Sequence, residues 1–121
     1  MTDKLSLPNN SVMLSTDFVY GVATASFQIE GGANNRLPCI WDTFCDTAGK
    51  VIDGSNGLIA CDHYNLWQQD IELIDSLGVD AYRLSISWPR VINASGELNQ
   101  EGIDYYLAIL DELKAKNIKA F

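Results

Sequence analysis

Between Ala81 and Arg90 the chain alternates, with Tyr82, Leu84 and Ile86 set against Arg83, Ser85 and Ser87. Successive side chains of a strand point to opposite faces, so the run predicts a strand with one apolar face and one polar face carrying an arginine. A helical pattern precedes it and another follows. That order of elements builds a parallel sheet covered by helices rather than a solvated ribbon. On such a sheet an inward-facing arginine needs a buried anion, because an unpaired buried charge costs too much to keep. Arg83 therefore reads as a site residue, and Pro89 as the end of the strand.

The flanking patterns are explicit. Asp62 stands where a helix N-cap belongs, and Tyr64, Trp67, Ile71, Ile74 and Leu77 recur at helical spacing until Gly78. After a turn at Ser95-Gly96-Glu97, a second helix is predicted from about Asn99, with Ile103, Tyr106, Leu107, Leu110 and Leu113 on its apolar face. Ile118 to Phe121 reads as the opening of a third strand, and Phe18 to Ala25 as the first. From Glu30 to Ala60 the composition turns to Gly, Asn, Asp and Pro around an aromatic island at Trp41-Asp42-Thr43-Phe44. A loop this long inside a compact domain is usually functional. Two strand–helix units and part of a third strand close no sheet, so residues 17–121 are expected to be one segment of a larger domain, behind a polar lead-in at 1–16.

Sixteen acidic against eight basic residues give a net charge of −8, which disfavours nucleic acid and anionic lipid as partners. No run approaches membrane-spanning length, and Met1 to Pro8 lacks the apolar core of a signal peptide. The three cysteines, Cys39, Cys45 and Cys61, form neither a disulfide framework nor a zinc spacing. Reduced structural thiols in the cytoplasm are the expectation, with no metal and no cofactor.

Four blocks in this order resemble the N-terminal region of glycoside hydrolase family 1, the β-glucosidase family. They are Tyr20 to Gly31 (Tyr-Gly-Val-Ala-Thr-Ala-Ser-Phe-Gln-Ile-Glu-Gly), Ile40 to Phe44, Ala60 to Tyr64, and Tyr82 to Arg90. The resemblance implies an α/β fold, the N-terminal part of a (β/α)8 TIM barrel, and retaining hydrolysis of β-linked sugars. It further implies that Gln28 grips the terminal sugar, its amide offering donors and an acceptor to adjacent hydroxyls. Arg83 matches the arginine that holds the nucleophilic carboxylate ionised. Trp41, His63 and Trp88 are candidates to support the site from behind. The two tryptophan faces also suit a pyranose ring, or core packing under the long loop, and both remain open. His63 at the start of a helix suits a structural hydrogen bond as well.

Retaining glycosidases use two carboxylates about 5–5.5 Å apart. The family's motifs for them, of Asn-Glu-Pro and Glu-Asn-Gly type, do not occur in this sequence, and Glu30 lies outside the positions the family uses. The chain alone is therefore expected to be inactive, with a β-linked glucoside or oligosaccharide as the complete enzyme's substrate. Association with the remainder of the barrel, or a homo-oligomer, is expected. Two alternatives stay open: a non-catalytic chain that self-associates or complements a second piece, and a relative acting on 6-phospho-β-glucosides.

Overall fold

The computed structural model describes residues 6–121, so Met1–Leu5 of the predicted lead-in lie outside the described residues. In chain order the elements are β1 (Gly21–Ala23), α1 (Ser26–Ile29), α2 (Ile40–Asp46), α3 (His63–Ser76), β2 (Ala81–Arg83), α4 (Trp88–Val91), α5 (Gln100–Ala115) and β3 (Lys119–Ala120). Single 3-10 turns lie at Val12–Leu14 and Ala33–Asn35. The three strands are parallel in the order β1-β2-β3, with Val22 opposite Tyr82 and Tyr82 opposite Ala120. This is the first part of a (β/α)8 barrel: β1 and β2 are each followed by a crossover whose long helix packs back on the sheet.

One face of the sheet is covered. Tyr82 packs with Ile71 of α3, with Tyr105, Tyr106, Ile109 and Leu113 of α5, and with Ile118, forming the core. Each such aliphatic side chain contributes roughly 1.5–3 kcal/mol on burial. The opposite face, which carries Arg83, is open. The alternation read from the sequence thus holds at Tyr82, Arg83 and Leu84, but Ile86 is exposed. The strand is also shorter than expected. Its pairing stops at Arg83, apart from Leu84 donating to the Phe121 carbonyl, and the chain enters α4 at Trp88. Pro89 lies inside the first turn of α4 rather than ending the strand, because its missing N–H has no partner to lose there and its φ suits a helix start.

Helix α3 starts and stops close to the expected positions, but its start is made differently. Asp62 occupies the cap position with a left-handed φ of 55° and makes no side-chain cap bond. Its carboxylate instead accepts from the Asn65 amide at 2.7 Å. At the other end Gly78, with φ 66°, supplies the left-handed residue that closes the helix. Helix α5 begins after Asn99 as expected, with Glu101 and Lys114 at its ends where the helix dipole favours them. Its buried face runs through Gly102, Tyr105, Tyr106, Ile109 and Leu113, so Leu107 is exposed and not core.

The long loop contains a helix that the composition does not announce. Cys39 and Asp42 form a capping box for α2, with the Asp42 carboxylate accepting from the Cys39 N–H at 2.7 Å. That same carboxylate takes a bidentate pair of 2.7 Å bonds from Arg36.

Candidate active site

The C-terminal ends of β1 and β2 lead into two segments, residues 24–31 and 84–90, that face a common cleft. Hydrogen bonds tie the segments together from the floor upward. The Thr24 N–H donates to the Arg83 carbonyl at 3.0 Å, and the Thr24 and Tyr82 hydroxyls share a 2.6 Å bond. Ser85 accepts the Ser26 N–H at 2.8 Å, and its hydroxyl donates to that of Ser26 at 3.2 Å. The cleft measures about 350 Å³, and Phe27, Trp41, Ser85, Ile86, Trp88 and Glu30 are among its lining residues. A second depression of about 410 Å³ shares Phe27 and Trp41 with it and adds Gln28, Phe44 and Asn56.

The candidates from the sequence divide into those at the cleft and those away from it. Gln28, in α1, is exposed on the second depression. Trp41 stands between the two, half-exposed, with its ring 6.3 Å from Phe27 and 6.1 Å from Phe44. Trp88 lines the first cleft with 71% of its surface exposed. His63 is elsewhere: it is buried behind the sheet ends, its Nδ1 bonded to Asp70 at 2.6 Å. Arg83 is exposed and makes no ion pair among the described residues, so the buried anion expected for it is not supplied by them.

The buried arginine is Arg90 instead. It is fully enclosed, with Nε donating to Glu30 Oε2 at 3.0 Å and Nη2 to the Gly31 carbonyl at 2.9 Å. Its guanidinium lies 4.3 Å over the Tyr64 ring. The other Glu30 oxygen accepts the Tyr106 hydroxyl at 2.5 Å. Burial and the neighbouring Glu30 charge push the Tyr106 hydroxyl well above the usual phenol range. Both Glu30 oxygens are therefore engaged by protein partners. Glu30 is the only acidic side chain lining the cleft among the described residues. What the two depressions offer is the Gln28 amide, the large aromatic faces of Trp41 and Trp88, and small hydroxyls such as that of Ser85. Such groups are chemically suited to a polar ligand with a flat apolar face.

Arg90, Tyr106 and Arg36 are absent from the sequence-based set. Tyr106 was identifiable in principle, since a tyrosine in the middle of an apolar face buries a hydroxyl that needs a partner.

The glycosyl hydrolase family 1 profile matches residues 10–121. The chain belongs to that family. It is 52% identical over 108 residues to a β-glucosidase from Agrobacterium sp., covering 87% of this chain and 24% of that protein. It is also 52% identical over 107 residues to β-glucosidase A of Thermotoga maritima, covering 86% of this chain and 24% of that protein. The structure superposes on the crystal structure of a β-glucosidase from Exiguobacterium marinum with a TM-score of 0.84 and 49% identity, over 88% of this chain and 24% of that one. The chain thus spans about a quarter of the length of the family 1 relatives it matches, and it corresponds to their N-terminal portion.

Among the described residues no helix is long and apolar enough to cross a membrane, and no three His, Cys, Asp or Glu side chains cluster as a metal site.

Proposed function

We propose that this chain is the sugar-gripping portion of a retaining β-glucosidase that hydrolyses terminal β-linked glucosides or oligosaccharides. Gln28 hydrogen-bonds adjacent hydroxyls of the terminal sugar, Trp41 and Trp88 wall the cleft with aromatic faces, and Arg83 pairs with a nucleophilic carboxylate carried on another strand. The observation that carries the reading is a pair of adjoining depressions that share Trp41, one lined by Trp88 and the other by Gln28, in a chain half-identical to β-glucosidases. Active sites of (β/α)8 barrels lie at that end. The open face of Arg83 supports its role, since a cation within about 4–6 Å lowers a carboxylate's pKa by 1–3 units and keeps a nucleophile charged. The two catalytic carboxylates, and the remaining strands of the barrel, come from outside these residues. Three free thiols support a reducing, cytoplasmic setting.

The test is an assay of a barrel-length enzyme containing this chain on aryl β-glucoside, β-galactoside and 6-phospho-β-glucoside. Turnover of the glucoside is expected to exceed that of the phosphorylated sugar. Gln28→Ala should lower kcat/KM at least tenfold, because the amide makes more than one hydrogen bond and each is worth roughly 0.5–1.5 kcal/mol. Unchanged kinetics in a folded Gln28→Ala enzyme remove Gln28 from the site, and preference for the phosphorylated sugar overturns the substrate assignment.

A further inference from the structure

We propose that Glu30, Arg90 and Tyr106 form a buried positioning device that fixes Gln28 and Trp88 relative to one another, so that these residues set substrate binding without touching substrate. The inference rests on the β-glucosidase reading of the cleft. Three segments meet at this cluster. Glu30 caps the C-terminal end of α1, its N–H donating to the Ser26 carbonyl at 2.9 Å, and stands two positions after Gln28. Arg90 belongs to α4, two positions after Trp88. Tyr106 belongs to α5 and reaches both, because its hydroxyl donates to Glu30 Oε1 and accepts the Ser87 N–H at 2.8 Å.

The surrounding backbone is locked to the same cluster. The Glu30 carbonyl accepts the Tyr64 N–H at 2.9 Å, and the Arg90 carbonyl accepts the Asn99 amide at 2.8 Å. Arg90 is 0% exposed and Glu30 4%, so water does not soften the geometry. Replacing a buried ion pair by apolar packing is often neutral or stabilising, so stability alone is a weak reason for such a cluster. Its directional bonds do what apolar packing does not: they fix the relative placement of two loops. A displacement of a binding group by about 1 Å costs on the order of a hundredfold in rate. A cluster that tilts α1 or α4 therefore reads out at Gln28 and Trp88.

The experiment is a double-mutant cycle in a barrel-length enzyme containing this chain, assayed on an aryl β-glucoside. Tyr106→Phe keeps the ring in the core and removes the hydroxyl that joins Glu30 to Ser87. It should lower kcat/KM about five- to twentyfold, mainly through KM. In a Gln28→Ala background the same change should cost clearly less than in the unmodified enzyme, since one of the two groups it positions is gone and only Trp88 remains to be displaced. Glu30→Gln, which retains an acceptor for Tyr106 but loses the ion pair, should behave in the same way. It decides the question if Tyr106→Phe does not fold. A folded variant with unchanged kcat/KM overturns the proposal, as do losses that multiply independently with Gln28→Ala. Failure of both variants to fold makes the cluster a keystone of the fold and overturns it too. If Gln28→Ala alone has no effect while Tyr106→Phe does, the Gln28 reading fails instead.

Discussion

Asp42 shows how much one carboxylate can organise. It accepts both guanidinium bonds of Arg36 and the Cys39 N–H, and so joins the start of the long loop to the first turn of α2. The pair is mostly covered, with 6% and 17% of the two side chains exposed. The Arg36 hydrogen bonds, and then the Cys39 N–H, hold the Asp42 carboxyl well below the usual carboxylate range. A depressed folded-state pKa contributes stability above the unfolded value, here 3.8, and loses it as pH falls through the folded value. Asp42→Ala in a barrel-length enzyme should therefore cost about 2 kcal/mol at pH 7 in urea denaturation, from the lost cap and charged hydrogen bonds together. The gap between wild type and variant should narrow steadily below about pH 4. A gap that stays constant down to pH 2 would exclude Asp42 as its source. Cleft and loop also differ at this scale: Asp42 faces its cation within the loop, whereas Arg83 is exposed and has no ion-pair partner among the described residues.

At the scale of elements, α5 holds the site together because one of its residues lacks a side chain. A Cβ on Gly102 would lie 2.0 Å from the Arg90 carbonyl oxygen, so only glycine lets α5 approach the α4 segment this closely. Helix propensity alone favours Gly102→Ala by about 1 kcal/mol, but overpacking against backbone costs about 1–3 kcal/mol and should win. A net loss of about 1–2 kcal/mol is expected from thermal unfolding, with a weaker KM if α4 is pushed from Arg90. A stabilised variant would show that the helix can slide outward at no cost. The same helix shows where sequence reading stops. Its start at Asn99 was legible, but Ile103, Tyr105, Tyr106, Leu107, Ile109, Leu110 and Leu113 make it apolar over a wide arc, and periodicity alone does not choose a face. Packing chose Tyr105 and Ile109 over Leu107. Helix α2 was hidden because its capping box uses Cys39 and Asp42 in place of the usual Ser or Thr with Glu or Gln. The positions of Gln28 and Trp88 near the strand ends followed from the motif blocks. The Glu30–Arg90 bond spans 60 residues, and no local pattern encodes a contact at that separation.

At the scale of the molecule, the described residues make half of a covered sheet. Helices α3 and α5 cover the Tyr82 face, while the Arg83 face and the outer edges of β1 and β3 have no partner among the described residues. Parallel strands are normally buried on both faces, and open edges offer unpaired N–H and C=O groups to any other strand. The exposed surface repeats this pattern: Ile86 is 58% exposed, Leu107 51% and Phe121 70%, a distribution suited to further strands and helices rather than to water. Chemistry points the same way. Glycoside hydrolysis needs an acid and a nucleophile or base, and the one acid that lines the cleft among the described residues, Glu30, already serves Arg90 and Tyr106. A polypeptide of these 121 residues by itself is therefore expected to show no turnover of a chromogenic β-glucoside and to self-associate at micromolar concentration. Adding a second polypeptide that carries the remaining strands should reduce the association and restore activity together, because both deficits come from the same uncovered face. Light scattering and the glucoside assay on one titration series measure the two. A monodisperse, active monomer in the absence of the second polypeptide would overturn both the barrel-segment account of the surface and the assignment of the catalytic carboxylates to other strands.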